Sequence, residues 1–348
     1  MRRTSREIIA DLLDIHDPRV KDAFIDAVRD ISDNVPIGRL TDAINRGDIE
    51  SALDLINIDD TVFDGVVEAL RASYIDGGRE TASSLSGLRT PNGVSAVFRF
   101  GVRNQAAESF LRSQSSQLVT RIAQTQRDTI RTALSEGLAR GDNPRRTALD
   151  IAGRIDRETS NRREGGILGL NGPQARFVAN ARVQLTSGDP KQLRGFLKRA
   201  KRDRRFDRTI LRAIESGRPL NREQIEKIIG RYSDRLLQFR AESISRTETL
   251  RSLNASQYES YRQAIEAGNI AESAVTKRWV SVGDLLVRIT HAHKSLNGNS
   301  IPFGDVFTTS RGNSLRFPLD TELGAGGEDV IQCRCIAEYR INFAAGLT

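Results

Sequence analysis

Apolar residues return at helical spacing along most of this chain. Thr4 and Glu7 stand ahead of Ile8, Ile9, Leu12 and Leu13, which predicts a capped helix running to about His16. Asp17-Pro18 predicts a second start, with Asp17 as cap and Val20, Phe24, Ala27, Val28 and Ile31 on one face. His16 then falls at a helix end, where it is expected to cap the helix or balance its dipole. Asn34 to Pro36 breaks the pattern. Short helices are predicted over 38–45 and 48–56, and a longer one begins near Asp60 with Val62, Phe63, Val66, Val67 and Leu70. The Ser-, Gly- and Thr-rich stretch 77–93 reads as a loop or boundary, and 94–100 as a short strand. A long helix is predicted over 104–136 through Phe110, Leu111, Leu118, Ile122, Ile130 and Leu134, and Asn143-Pro144 starts the next. Residues 162–173, with four Gly, form a joint. Asn221 and Gln224 then open the longest helix, through Ile225, Ile229, Leu236, Leu237, Phe239 and Ile244 to about Ala267.

After Gly268 the periodicity changes. A strand is predicted over 275–282, a short helix or turn over 288–296, small strands and turns over 301–318, a glycine-rich loop at 324–327 and a closing strand over 331–341. The expected fold class is mainly α with a small C-terminal α+β module, the N-terminal and middle helical regions being elongated. Three consecutive regions follow: a helical region at 1–85, a helical middle region at 94–220, and the long helix with the α+β module at 221–348, the module itself spanning 276–340.

Composition adds charge to this picture. The 348 residues carry a net charge of +8, and 5% are aromatic, few for a compact enzyme. Residues 191–212 hold ten Lys or Arg against two Asp, an excess equal to that of the whole chain. Lys191, Arg194, Lys198, Arg199, Lys201, Arg202, Arg204, Arg205, Arg208 and Arg212 therefore form either a solvated helix face or a segment that contacts DNA phosphates without reading sequence. Phe196 and Phe206 are the only aromatics among them, too few to indicate base stacking. No apolar run reaches the roughly 20 residues that span a bilayer, and the N-terminus lacks a signal-peptide core, so no membrane partner is expected.

The scarce residue types gather near the C-terminus: the single Trp (Trp279), two of the three His (His291, His293) and both Cys (Cys333, Cys335). Cys-x-Cys is too tight for an ordinary disulfide. On strands, alternate positions share a face, so His291, His293, Cys333 and Cys335 have the makings of a zinc site, zinc being the one cofactor this donor set suggests. The metal-free reading buries the Cys as small apolar groups and bonds the His to Glu328, Asp284 or backbone. Arg246, Arg288 and Arg334 are expected to pair with Glu248, Asp284 and Glu328 in a network fixing the module to the long helix. No Ser-His-Asp order, phosphate loop or carboxylate cluster for magnesium is recognisable, so no catalytic residue is assigned. The 324–327 loop reads as a turn before a strand.

Taken in order, these words resemble the phage Mu F-like head morphogenesis, or minor head, proteins of tailed phages and prophages. Ser245-Arg246-Thr247-Glu248 looks like the family's Ala-Arg-Thr-Glu element and is followed by Asn254 and Tyr258. Lys277-Arg278-Trp279 resembles its basic-basic-Trp strand, with Asp284, Arg288 and His291 after it. Leu296-Asn297-Gly298, Pro318, Glu328 and Cys333-Arg334-Cys335 complete the set. Gln332 replaces the family's usual Asn, and a segment about two residues longer leaves both His291 and His293 as candidates for one family position. The match is good over 244–339, looser from about Arg121, and does not reach the first 110 residues.

The resemblance implies a virion structural protein rather than an enzyme: a minor capsid component of a bacteriophage head. It would be made in the host cytoplasm, be portal-associated, and have portal, major capsid or scaffold protein as partners. The charge of the sequence itself, apart from the resemblance, adds the expectation that residues 191–212 lie against DNA during DNA packaging, and the long helical shape would allow ejection with it. A metal-dependent nuclease or toxin-like effector is the competing class, although only eight residues follow Arg340. A nonspecific DNA-binding protein is the third.

Overall fold

The computed structural model describes residues 3–86, 98–155, 162–281 and 292–342. In chain order the helices begin with α1 (Ser5–Asn34), α2 (Ile37–Asn45), α3 (Ile49–Ile56), α4 (Asp64–Leu85), α5 (Gln105–Ala139) and α6 (Pro144–Ala152). A two-stranded ribbon of β1 (Arg154–Ile155) and β2 (Arg163–Glu164) leads to α7 (Gly172–Thr186), α8 (Pro190–Leu197), α9 (Asp207–Ser216) and α10 (Arg222–Glu266). The C-terminal part contains β3 (Val275–Val280), β4 (Ser300–Pro302), β5 (Phe307–Thr308), β6 (Ser314–Leu315), the single turn α11 (Gly327–Val330) and β7 (Ile336–Ile341). This is the mainly α architecture with a small C-terminal α+β module that the periodicity predicts.

Several boundaries were set by chemistry visible in the sequence. Thr4 and Glu7 form the expected capping box, the Thr4 N–H donating to the Glu7 carboxylate at 2.7 Å and the Glu7 N–H to Thr4 Oγ1 at 3.2 Å. Asn221 and Gln224 do the same for α10, at 3.0 and 2.8 Å. Three expectations need correction. Residues 77–85, expected to belong to a loop or boundary, are the last turns of α4, where Gly77, Gly78, Thr81, Ala82 and Leu85 are buried. Pro18 does not restart the chain but lies inside α1. The stripe Ile9, Leu12, His16, Val20, Phe24 keeps its helical phase through the proline and is buried throughout, so packing outweighs the missing backbone donor. The glycine-rich loop leads into the turn α11, not into a strand, and β7 begins only at Ile336. The strand expected at 94–100 falls mainly on residues outside those described, and Phe98–Phe100 are not in a strand.

The described chain groups into two compact units rather than three consecutive regions. The first comprises 1–22, 66–116 and 242–348, and the second 23–65 and 117–241, so α1, α5 and α10 each contribute to both. In the first unit an antiparallel sheet of order β4-β3-β7 pairs Trp279 with Ala337 and Lys277 with both Tyr339 and Ile301. Ile8, Ile9 and Leu12 of α1 and Leu250 and Leu253 of α10 close over Trp279, Phe307, Leu315, Cys333 and Cys335. The second unit places the 165–170 loop against α10. Gln126 accepts from the Gly169 N–H at 2.7 Å, Ser233 donates to Gly166 O at 2.6 Å and Arg240 donates to Gly169 O at 2.8 Å.

Candidate functional site: a buried histidine and cysteine cluster

β3 has a strict alternation of buried and half-buried positions, so Val275, Lys277 and Trp279 share the inward face. Trp279 is fully buried and sets its ring edge-on to Phe307 and to the imidazole of His293, both at 5.1 Å. His293 stands in a single 3-10 turn, Ala292–Lys294, which Leu296 and Gly298 tie back to β3 through the Gly298 N–H to Trp279 O bond of 2.8 Å. From the other side come Cys333 and Cys335, just before β7. Gln332 between α11 and the first Cys takes a left-handed φ of 58°, and α10 holds it there. Its N–H donates to Thr247 Oγ1 at 3.0 Å and its amide to Ser243 Oγ at 3.1 Å.

His293, Cys333 and Cys335 therefore meet, all three buried, with their ligand atoms within 4.8 Å of one another. His293 Nδ1 lies 3.4 Å from Cys333 Sγ and 3.8 Å from Cys335 Sγ, and the Cys335 N–H points at Cys333 Sγ from 3.4 Å. The Cys333 thiol beside it, with help from His293, pulls Cys335 down to about 5 against the opposing effect of burial. Cys333 is pushed up by its neighbour Cys335 and by burial. On the far side of the imidazole, Nε2 faces Asp329 Oδ1 at 3.6 Å. Asp329 is fully buried and is held by Asn313 at 2.6 Å, by the Thr309 hydroxyl at 3.5 Å and by Arg311 at 3.7 Å.

The remaining expected residues are distributed differently. His291, Asp284 and Arg288 lie outside the described residues. Glu328 is exposed, and the carboxylate that faces the histidine is its neighbour Asp329: α11, absent from the sequence reading, turns one inward and the other out. Arg246 does not reach Glu248 but pairs with Asp17 of α1 at 2.8 Å, where Ser245 also donates. Glu248 instead receives the Gln114 amide at 3.2 Å and lies 3.8 Å from Arg251. Arg334 is half-buried. His16, expected at a helix end, sits in mid-helix with Nε2 3.2 Å from Asp76 of α4, and burial holds its pKa below the usual imidazole value.

Two features escaped the sequence reading. Lys277 is fully buried, and its Nζ, without a hydrogen-bond partner among the described residues, faces the rings of Tyr258, Phe303 and Phe307 at 5.2–5.7 Å. Burial, aided by the Arg316 charge, lowers its pKa to about 8. Its shared parity with Trp279 on β3 was the available signal. In the second unit a cleft of about 250 Å³ is lined by Arg163, Glu164, Asp203, Arg205, Arg231 and Asp234 among others. Its charges largely hold one another, Arg231 with Glu164 at 3.1 Å and Arg205 with Asp203 at 2.6 Å, while burial pushes Asp234 up to about 6.

The basic segment occupies α8, α9 and the turn between them in the second unit. Lys191, Arg194, Lys198, Lys201, Arg204, Arg205, Arg208 and Arg212 are exposed. Two of the ten expected contacts face inward instead: Arg199 donates to Gln184 at 2.9 Å, and Arg202 forms a two-pronged pair with Asp207 at 2.9 Å. Arg205 is also committed, to Asp203, and Lys201 covers the Phe239 ring at 4.0 Å. Six cations are left facing solvent. No described helix is long and apolar enough to cross a membrane. Comparison with models of known families, with curated proteins and with solved structures found no match.

Proposed function

We propose that this chain is a minor head component of a tailed phage or prophage. It acts with the portal during head assembly, is made in the host cytoplasm and is carried in the virion, with portal, major capsid or scaffold protein as its partners. The observation that supports this reading is the convergence of the separated words that resemble the Mu F-like pattern. Thr247 holds Gln332, Asn254 holds Cys335 and Ala337, and Trp279 packs on His293. Words spread from 245 to 335 thus include several that brace one another within one unit. His293, Cys333 and Cys335 are 2–5% exposed, a setting suited to bracing rather than to admitting a substrate. The six outward cations of α8, α9 and the turn between them suit contact with packaged DNA, because phosphate attraction needs exposure and not a shaped pocket.

Inactivating the gene and restoring it from a plasmid tests the reading. The expected result is a fall in infectious, DNA-filled particles with normal lysis and DNA replication, reversed by the restored gene. Undiminished yield of infectious particles would contradict it.

A further inference from the structure

The cluster around His293 has the spacing of a coordination sphere. A zinc ion with sulfur ligands at about 2.3 Å and nitrogen at about 2.0–2.1 Å in tetrahedral arrangement sets those ligands about 3.5–3.8 Å apart. Here Nδ1 lies 3.4 and 3.8 Å from the two sulfurs. We propose that His293 Nδ1, Cys333 Sγ and Cys335 Sγ bind one Zn2+ ion, tying the turn after β3 to the start of β7.

Three further observations carry the assignment. The imidazole is oriented as a ligand: Nδ1 faces both sulfurs while Nε2 faces Asp329, and a carboxylate behind a metal-bound histidine fixes its tautomer and its aim. Asp329 is itself anchored by Asn313, Thr309 and Arg311. The Cys335 N–H directed at Cys333 Sγ supplies a donor to a thiolate. The charges also close: two thiolates balance a divalent ion, and Arg311 stands opposite Asp329, so a fully buried site carries little net charge. Thiolate and imidazole donors suit zinc and disfavour magnesium or calcium, which take oxygen. The described residues supply three of the four positions zinc prefers. The inference is independent of a role in the virion.

The test uses the full chain, purified from zinc-supplemented cells. Elemental analysis is expected to find about one zinc per chain. Chelated protein given Co2+ should develop thiolate-to-cobalt charge-transfer absorption, which reports sulfur ligation in the unmutated chain even if Cys variants fail to fold. Asp329→Asn, which keeps all three ligands, should still bind zinc but about 10–100-fold more weakly. The paired variant Cys333→Ser/Cys335→Ser, where folded by circular dichroism, should purify without zinc. Folded protein that neither carries zinc nor shows cobalt–thiolate absorption would overturn the proposal. Zinc retained in full by the paired variant would overturn it as well, since the ion would then sit elsewhere.

Discussion

Asn254 completes a strand from a helix. Among the described residues β7 pairs with a strand, β3, on one side only, and Asn254 of α10 occupies the other, donating to Cys335 O at 3.3 Å and accepting from the Ala337 N–H at 3.2 Å. Replacing it with Ala leaves two buried backbone groups unpaired, at about 1–3 kcal/mol each. Asn254→Ala is therefore expected to lower stability by about 2–6 kcal/mol in chemical denaturation, and a loss below about 1 kcal/mol would show that water or a shift of β7 replaces the amide. Lys277 poses the opposite case, a charge held without a hydrogen bond to any described residue. With a folded pKa near 8 against about 10.4 unfolded, it is charged in both states at neutral pH, and its burial then costs stability. Between these values the unfolded chain binds the extra proton, so stability from this group rises with pH. Lys277→Met should stabilise by about 2–3 kcal/mol below pH 8, with the gain fading towards pH 10.4. A gain independent of pH would point to packing alone. Residues acting within a few positions of their partners were legible in sequence, as with Thr4 and Glu7. His16 with Asp76 and His293 with Asp329 were not, because each pairing is made by tertiary contact that no local pattern announces.

Among elements, α10 shows what sequence does and does not carry. Its cap was readable, and Asn221→Ala is expected to cost about 1 kcal/mol, measurable as a lower melting temperature. Gly230, near its N-terminal end, faces Gly165 of the preceding loop. Gly165 has φ of 77°, and a Cβ there would lie 2.4 Å from Gly230 Cα. The missing Cβ at Gly165 lets the 165–170 loop come up against the helix backbone, whereas a Cβ on Gly230 would make only an ordinary contact, 3.6 Å from Gly165 Cα. Gly165→Ala combines a disfavoured dihedral, about 1–3 kcal/mol, with that collision, and should destabilise by more than the dihedral alone. An unchanged melting temperature would contradict the close approach. The basic stretch was read from charge alone, which could not separate outward cations from those bound to Gln184 and Asp207. Reversing Lys191, Arg194, Lys198, Arg204, Arg208 and Arg212 to Glu should weaken DNA binding and reduce the salt slope by up to about five. The same slope with all six reversed would leave the face a solvated one.

At the scale of the whole molecule, the predicted class of a helical chain with a small C-terminal α+β module stands, while the grouping of its segments does not follow chain order. Residues 1–22 and 66–116 join the C-terminal segment in one unit, and the middle region takes 23–65 with it. Local periodicity cannot show this, because α1, α5 and α10 each change unit without a break in pattern. The part of α10 from Glu242 onward is thus joined to the module it leads to, through Ser243, Thr247 and Asn254. The proposed place of the chain inside a phage head rests on that assembly of separated words. Quantitative mass spectrometry of gradient-purified particles tests this most directly. The account predicts that the chain is present in DNA-filled heads, at far lower copy number than the major capsid protein. Its absence from such particles, in cells that express it, would contradict the account.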